Sequence, residues 1–267
     1  NAKTSYKRLA SFMEETQEDD VSEKNKGAIR REKLGSIEFK DTTYRYPEAD
    51  LDTLRSINLS VNEGEKVAIL GRNGSGKSTL MKLASGLFKA SDGLVMYDGV
   101  DIKQLHTDDL SKSIGIVLQD VQLFSGSIRE NITMGRKDIN QDDLINAGKL
   151  SGLDDFVSKI PGGYDLQLSD GGKGLSGGQR QSIALARAIV HKPTHFILDE
   201  PTSAMDMNAE NIFISQMGSI MQDSTMLIVT HRMPLLNLVD RIIVMNEGQI
   251  VEDGPKEEII NKLNQPR

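Results

Sequence analysis

Apolar positions along the chain repeat with two different periods. Short apolar runs bounded by turn residues read as strands. "SIEFKDTTYRY" is one, closed by Pro47, and "INLSVNEGEKVAIL" holds two, divided by a turn at residues 62–64. "GLVMYDGVDI" adds a strand and turn, and "IGIVLQD" a buried strand. From about residue 119 to 185 the character changes to short helical patterns separated by loops: "SIRENITMG", "QDDLINAGKLSG" and "LDDFVSKI". Strand patterns return in "HFILDE", "TMLIVTH" and "DRIIVMNEGQIVEDG". A last helix is expected from Pro255 at its first turn, Glu257 and Glu258 near its positive end, and "IINKL". Strands alternating with helices predict an α/β fold with a parallel sheet, interrupted by a mostly helical insert.

Ahead of this region, Tyr6, Leu9, Phe12 and Met13 have helical spacing and run into the acidic "EETQEDDVSEKNKG", which reads as a linker. Structure proper is expected from about Leu34, giving a linker at 1–33 and one domain at 34–267. The opening at Asn1 in a mixed polar–apolar pattern fits a piece of a longer chain; a trimmed or disordered N-terminus fits it equally.

Composition narrows the function classes. The 267 residues carry a net charge of −7, which argues against a general nucleic-acid surface, because phosphate backbones need clustered Lys and Arg. With no Cys, disulfides, Cys-ligated zinc and thiol catalysis are excluded, and a reducing compartment is compatible. No apolar run approaches the ~20 residues that span a bilayer.

"VAILGRNGSGKST" is an apolar strand, a Gly-rich loop and the start of a helix pattern, and it satisfies G-x-x-x-x-G-K-[ST] in the context that motif requires. Gly71, Gly74 and Gly76 let the backbone wrap phosphate oxygens, with Asn73, Ser75 and Thr79 completing the loop. Lys77 would reach the β- and γ-phosphates and the Ser78 hydroxyl would ligate Mg²⁺. The motif points to a nucleoside triphosphate and does not separate a kinase, a GTPase and a motor. In "HFILDEPTSAMD" an apolar strand ends in adjacent carboxylates. Asp199 suits an outer partner of Mg²⁺, and Glu200 suits a general base or water-positioner for in-line attack. A second Gly/Ser cluster, "GKGLSGGQRQ", opens an Ala/Leu-rich helix and also suits an anion. It lacks the Lys-Ser/Thr pair that would hold a metal-bound triphosphate alone.

Together "GRNGSGKST", "LSGGQRQSIALARA", "FILDEPTSAMD" and the "TH" at 230–231 resemble the ATP-binding-cassette (ABC) nucleotide-binding domain, from about residue 34 to 263. The resemblance implies a P-loop core with a parallel sheet, an N-terminal antiparallel β subdomain and a helical subdomain at about 119–185. It implies Mg-dependent hydrolysis of ATP, with ATP and Mg²⁺ as ligands. By the same resemblance Tyr46 matches the aromatic that stacks on adenine, with Tyr44 a packing residue. Gln119 matches the glutamine that touches Mg²⁺ and the attacking water, Glu200 the catalytic glutamate and His231 the switch histidine at the γ-phosphate. Asp206 matches the acid of a loop that communicates between protomers. Ser176, Gly177, Gly178 and Gln179 match the signature that completes a neighbouring chain's ATP site, which makes an ATP-dependent homodimer. His106, His191 and His195 read as structural residues. "SAMD" replaces the commoner "SALD", a volume-conserving change, and Asp170 stands where exporters often carry Glu.

"YRYP", "QDVQLFSGSIRENI" and "THR" are similar to exporter cassettes, which implies a transmembrane domain in the same, longer chain. "DEPTSAMD" and "LLNLVDRIIVMNEGQIVEDGPKE" look most like the ATPases of type I protein secretion, which export RTX toxins or large adhesins. That implies the cytoplasmic face of a bacterial inner membrane, with a periplasmic adaptor and an outer-membrane channel in the full system. An exporter of lipid, drug or peptide, and a regulatory module that binds ATP without hydrolysis, are the alternatives.

Overall fold

The structure is a computed structural model and describes residues 27–264. The helix expected around Tyr6, Leu9, Phe12 and Met13 lies outside the described residues. The first half runs β1 (Ile37–Tyr44), β2 (Leu54–Val61), β3 (Lys66–Gly71), α1 (Lys77–Ala84), β4 (Asp92–Tyr97), β5 (Val100–Asp101), α2 (Thr107–Ser113) and β6 (Ile114–Val117). The insert follows as β7 (Gly126–Ser127), α3 (Ile128–Thr133), α4 (Gln141–Leu150), α5 (Asp154–Val157) and β8 (Gln167–Leu168). The chain then returns through α6 (Gly177–Ile189), β9 (His195–Asp199), α7 (Met207–Ile220), β10 (Thr225–Val229), β11 (Arg241–Asn246), β12 (Gln249–Pro255) and α8 (Lys256–Asn264).

Two main sheets result. The larger has the order β12-β11-β3-β10-β9-β6, parallel throughout except for the antiparallel β11–β12 hairpin at one edge. The smaller, β2-β1-β4-β5, is antiparallel. Strands buried on both faces read as unbroken apolar runs, and β9 and β10 show how each side is used. Phe196, Leu198, Met226 and Ile228 face a core shared with α6, α7 and the helical insert. Ile197, Leu227 and Val229 face a second core built from α1 and the antiparallel sheet.

Every strand read from the sequence is present, as are the three short helices of the insert. Pro255 closes β12 and the last helix starts one residue later, at Lys256. Two helices had no clear periodic signal. In α2 the sequence TDDLSKS is short and polar, and its start is fixed by His106, whose Nδ1 accepts from the Asp108 N–H at 3.3 Å. In α7 the buried stripe of Phe213, Met217 and Met221 is obscured by the neighbouring Ile212 and Ile214. Ahead of Leu34, Ile29 pairs with Leu105, and the Arg31 N–H donates to Asp109 at 2.9 Å.

His195 is buried, with Nε2 against the Gly35 carbonyl at 2.5 Å and Nδ1 against the Thr194 hydroxyl at 2.9 Å. It acts as a tie between the two sheets' approaches, and burial holds its pKa down. Among the described residues no helix is long and apolar enough to cross a membrane.

Candidate functional site

The parallel register delivers the site. Val229 lies beside Ile69 on one side and Asp199 on the other, Leu198 lies beside Val117, and Gly71 beside Met245. The carboxyl ends of β3, β6, β9 and β10 therefore open onto one edge, which is where ligands bind in open α/β sheets.

The loop after β3 is a cradle shaped by its glycines. Gly71 has φ +151°, and a Cβ there would come within 2.3 Å of the Met245 carbonyl oxygen and 2.8 Å of Ser75 Oγ. Gly76 caps α1 at φ +98° and offers no side-chain acceptor, so the first N–H groups of the helix keep their capacity for an anion. Ser75 Oγ is buried in this loop without a hydrogen-bond partner. Lys77 folds back across the loop, its Nζ donating to the carbonyls of Gly71 at 2.9 Å and Arg72 at 3.0 Å. Burial pulls its pKa below the ordinary lysine value, against the opposing pull of Asp199 and Glu200. A cation satisfied only by two loop carbonyls has unspent capacity for negative charge.

Asp199 ends β9 and is only 2% exposed. Burial pushes its carboxyl above the ordinary range, and a hydrogen bond from Ser78 and the charge of Lys77 hold it partly down. Glu200 follows in a left-handed conformation, φ +50°, with its N–H donating to the Val229 carbonyl at 2.9 Å. Its Oε1 is buried without a hydrogen-bond partner, and His231 Nε2 lies 3.6 Å away. Desolvation raises the Glu200 pKa, with His231 the chief opposing influence.

On the opposite wall, Tyr46 meets Tyr44 edge-on at 5.1 Å and Phe88 edge-on at 5.7 Å, while Tyr44 and Phe88 stack at 5.2 Å. Tyr44 is buried in this packing; Tyr46 reaches the opening, its hydroxyl 3.1 Å from Thr79 Oγ1.

These groups line one cavity of about 640 Å³, within the size range of small-molecule sites. Of the residues expected from the sequence it holds Tyr46, Asn73, Gly74, Gly76, Lys77, Ser78, Thr79, Gln119, Asp199, Glu200 and His231. Gly71 and Ser75 support the loop from behind. Thr53, Ser203, Val229 and Arg232 line it too and were not expected. Thr53, Ser203 and Val229 carried no local signal. Arg232 did, through its place beside His231, and its guanidinium pairs with Glu210 at 3.2 Å and donates to the Ser203 carbonyl at 3.4 Å.

The cavity does not include residues 176–179 or Asp206. Ser176 and Gln179 form a capping box at the start of α6, Ser176 Oγ accepting from the Gln179 N–H at 3.1 Å and Gln179 Oε1 from the Ser176 N–H at 2.8 Å. Gly177 and Gly178 occupy the first turn, against Ala204. Asp206 caps α7 by accepting from the Ala209 N–H at 2.8 Å.

Comparison with known proteins gives one consistent result. Residues 54–203 match the family model described as ABC transporter. Among curated relatives, the cyclolysin secretion/processing ATP-binding protein CyaB of Bordetella pertussis is 41% identical over 226 residues, 85% of this chain and 32% of that protein. The leukotoxin export ATP-binding protein LtxB of Aggregatibacter actinomycetemcomitans is 42% identical over 226 residues, with the same two coverages of 85% and 32%. The leukotoxin translocation ATP-binding protein LktB of Mannheimia haemolytica is 42% identical over 230 residues, 86% of this chain and 32% of that one. The chain thus spans about a third of the length of these relatives. A solved bacterial Atm1-family ABC exporter with ATP bound superposes with a TM-score of 0.80 at 31% identity, covering 86% of this chain and 40% of that one. With a phosphate cradle, paired acids and a signature-bearing helix in one fold, the chain belongs to the ABC transporter family.

Proposed function

We propose that this chain is the ATP-hydrolysing domain of an exporter of type I protein secretion, working as a head-to-tail homodimer. The observation that carries the catalytic reading is the convergence of Lys77, Ser78, Gln119, Asp199, Glu200 and His231 on one cavity. ATP would lie with its adenine against Tyr46 and its phosphates in the 71–79 loop, where Lys77 and the α1 N-terminus supply positive charge. Ser78, Asp199 and Gln119 form an all-oxygen donor set that suits Mg²⁺, which would neutralise phosphate charge. Glu200, raised in pKa and short of a hydrogen-bond partner, has an oxygen ready to take a proton from water. His231 would face the γ-phosphate.

The placement of residues 176–179 outside the cavity favours a site completed by a second copy. With Ser176 and Gln179 engaged in the capping box, the N–H groups of Gly177 and Gly178 at the start of α6 would be the ones to meet an anion. Asp206 would sit in the loop that meets the other protomer. The protein-secretion reading rests on the toxin-secretion relatives. By that reading the domain works at the cytoplasmic face of a bacterial inner membrane, joined to a transmembrane domain, with a periplasmic adaptor and an outer-membrane channel as further partners.

Phosphate release from Mg-ATP tests the catalytic part. Glu200→Gln is expected to retain nucleotide binding, lose about 10²-fold or more in turnover, and elute as a dimer with Mg-ATP on gel filtration. Turnover at the wild-type rate in that variant would overturn the assignment of the base. Ser176→Arg is expected to abolish the dimer while the monomer's ATP affinity stays unchanged.

A further inference from the structure

Glu200 sits in a conformation that a non-glycine residue rarely holds, and such strain persists only where surrounding bonds over-determine it. Its N–H is held by Val229. Its carbonyl accepts twice, from the Ser203 N–H at 3.1 Å and from Gln181 Nε2 at 3.0 Å. Gln181 projects from α6, is only 3% exposed, and uses the other end of the same amide to accept from the Ala204 N–H at 3.0 Å. One buried side chain therefore spans the turn that follows Glu200, donating at its start and accepting near its end. The first turn of α6 presses on the same place: a Cβ on Gly177 would stand 3.0 Å from Ala204 Cβ.

A buried primary amide at this site is costly unless both of its ends are satisfied, and both are. An apolar residue of equal length would fill the space as well, so packing alone does not call for Gln. What the amide adds is direction, because it fixes the peptide plane from which the Glu200 side chain departs.

We propose that Gln181 is a positioning residue for Glu200: it ties the helix that begins at Ser176 to the strained turn carrying the catalytic carboxylate, so that the seating of that helix sets where the carboxylate points. This rests on the reading of Glu200 as general base. It adds a connection inside one chain between the surface offered to a partner's nucleotide and the acid serving the chain's own.

Steady-state Mg-ATP hydrolysis by the 267-residue chain tests it. Gln181→Met keeps the length and removes both hydrogen bonds. Its kcat is expected to fall between about tenfold and a hundredfold, the scale of a misplaced reacting group, with KM changed less than about twofold. The discriminating measurement is a double-mutant cycle with Glu200→Gln. A residue acting through the carboxylate has nothing left to position in that background, so Gln181→Met should leave the residual rate unchanged. Gln181→Glu, which still accepts from Ala204 but cannot donate to the Glu200 carbonyl when ionised, should repeat the kcat loss and serves if the Met variant folds poorly. Unchanged kcat, a change in KM alone, or an equal loss in the Glu200→Gln background would each overturn the proposal. A wild-type chain without turnover is a different result, and would overturn the reading of Glu200 itself.

Discussion

His231 Nε2 stands 3.6 Å from Glu200 Oε1, the buried carboxylate oxygen that has no hydrogen-bond partner. The two differ sharply in exposure, 55% for the histidine side chain against 13% for the glutamate. The carboxylate is thus held in a recess while the imidazole stands at its mouth, where an incoming phosphate would meet it first.

The recess sets a pH dependence for turnover. Burial raises the Glu200 pKa, and on the proposed role of Glu200 as general base it must be ionised to act. The acid limb of kcat for Mg-ATP should therefore lie above the ordinary glutamate range of about 4.3. His231→Ala removes the main influence holding that pKa down, so the limb should move further up. A kcat–pH profile of both proteins checks the direction, and a downward movement would contradict the burial argument.

The same shift makes a statement about stability. The folded-state pKa of Glu200 lies above its unfolded value, so its contribution is fully present below the unfolded pKa and lost as pH rises through the folded one. At neutral pH the ionised carboxylate burdens the fold. Glu200→Gln should accordingly melt at a higher temperature than wild type near neutrality, the gap closing in acid. Thermal unfolding at several pH values measures it.

Gly71 admits no side chain, since a Cβ would press on the Met245 carbonyl and on Ser75 Oγ. Gly71→Ala must therefore shift the strand end or the loop that Lys77 folds across. Binding of ATP, followed with a fluorescent analogue, should weaken about tenfold or more, while far-ultraviolet circular dichroism stays that of wild type.

In the helical insert, Gly148 of α4 lies under Tyr164: a Cβ would come within 1.7 Å of the phenolic oxygen and 2.9 Å of Cζ. Gly148→Ala sets overpacking of about 1–3 kcal/mol against the roughly 1 kcal/mol that Ala gains over Gly inside a helix, so a small net loss is expected. Adding Tyr164→Phe removes the nearer clash and leaves the farther, so it should restore part of the loss. Chemical denaturation of the single and double variants decides this, and full additivity would show that the two residues do not meet.

The sequence by itself determined the strands, because β9 and β10 carry unbroken apolar runs at residues 196–198 and 226–229, and it determined the phosphate loop, because its glycines, Lys77 and Ser78 fall within one stretch of eight residues. Asp199 and Glu200 were legible as the acids that close an apolar strand, whereas His231 was legible only through the resemblance, since a lone histidine after an apolar strand is more often structural. Only the tertiary structure decided how these pieces meet. Parallel register brings four strand ends to one edge, so that residues 46, 119, 200 and 231, far apart in sequence, share a cavity. The helix α7 was hidden because its buried stripe is set among other apolar residues. Gln181 carried no local sign at all. Its amide matters through two backbone groups about twenty residues away, and hydrogen bonds of that range follow from packing, which no periodicity encodes. The second Gly/Ser cluster shows the division most plainly: its composition suits an anion at a helix start, and only the tertiary structure places it outside the cavity that holds the first.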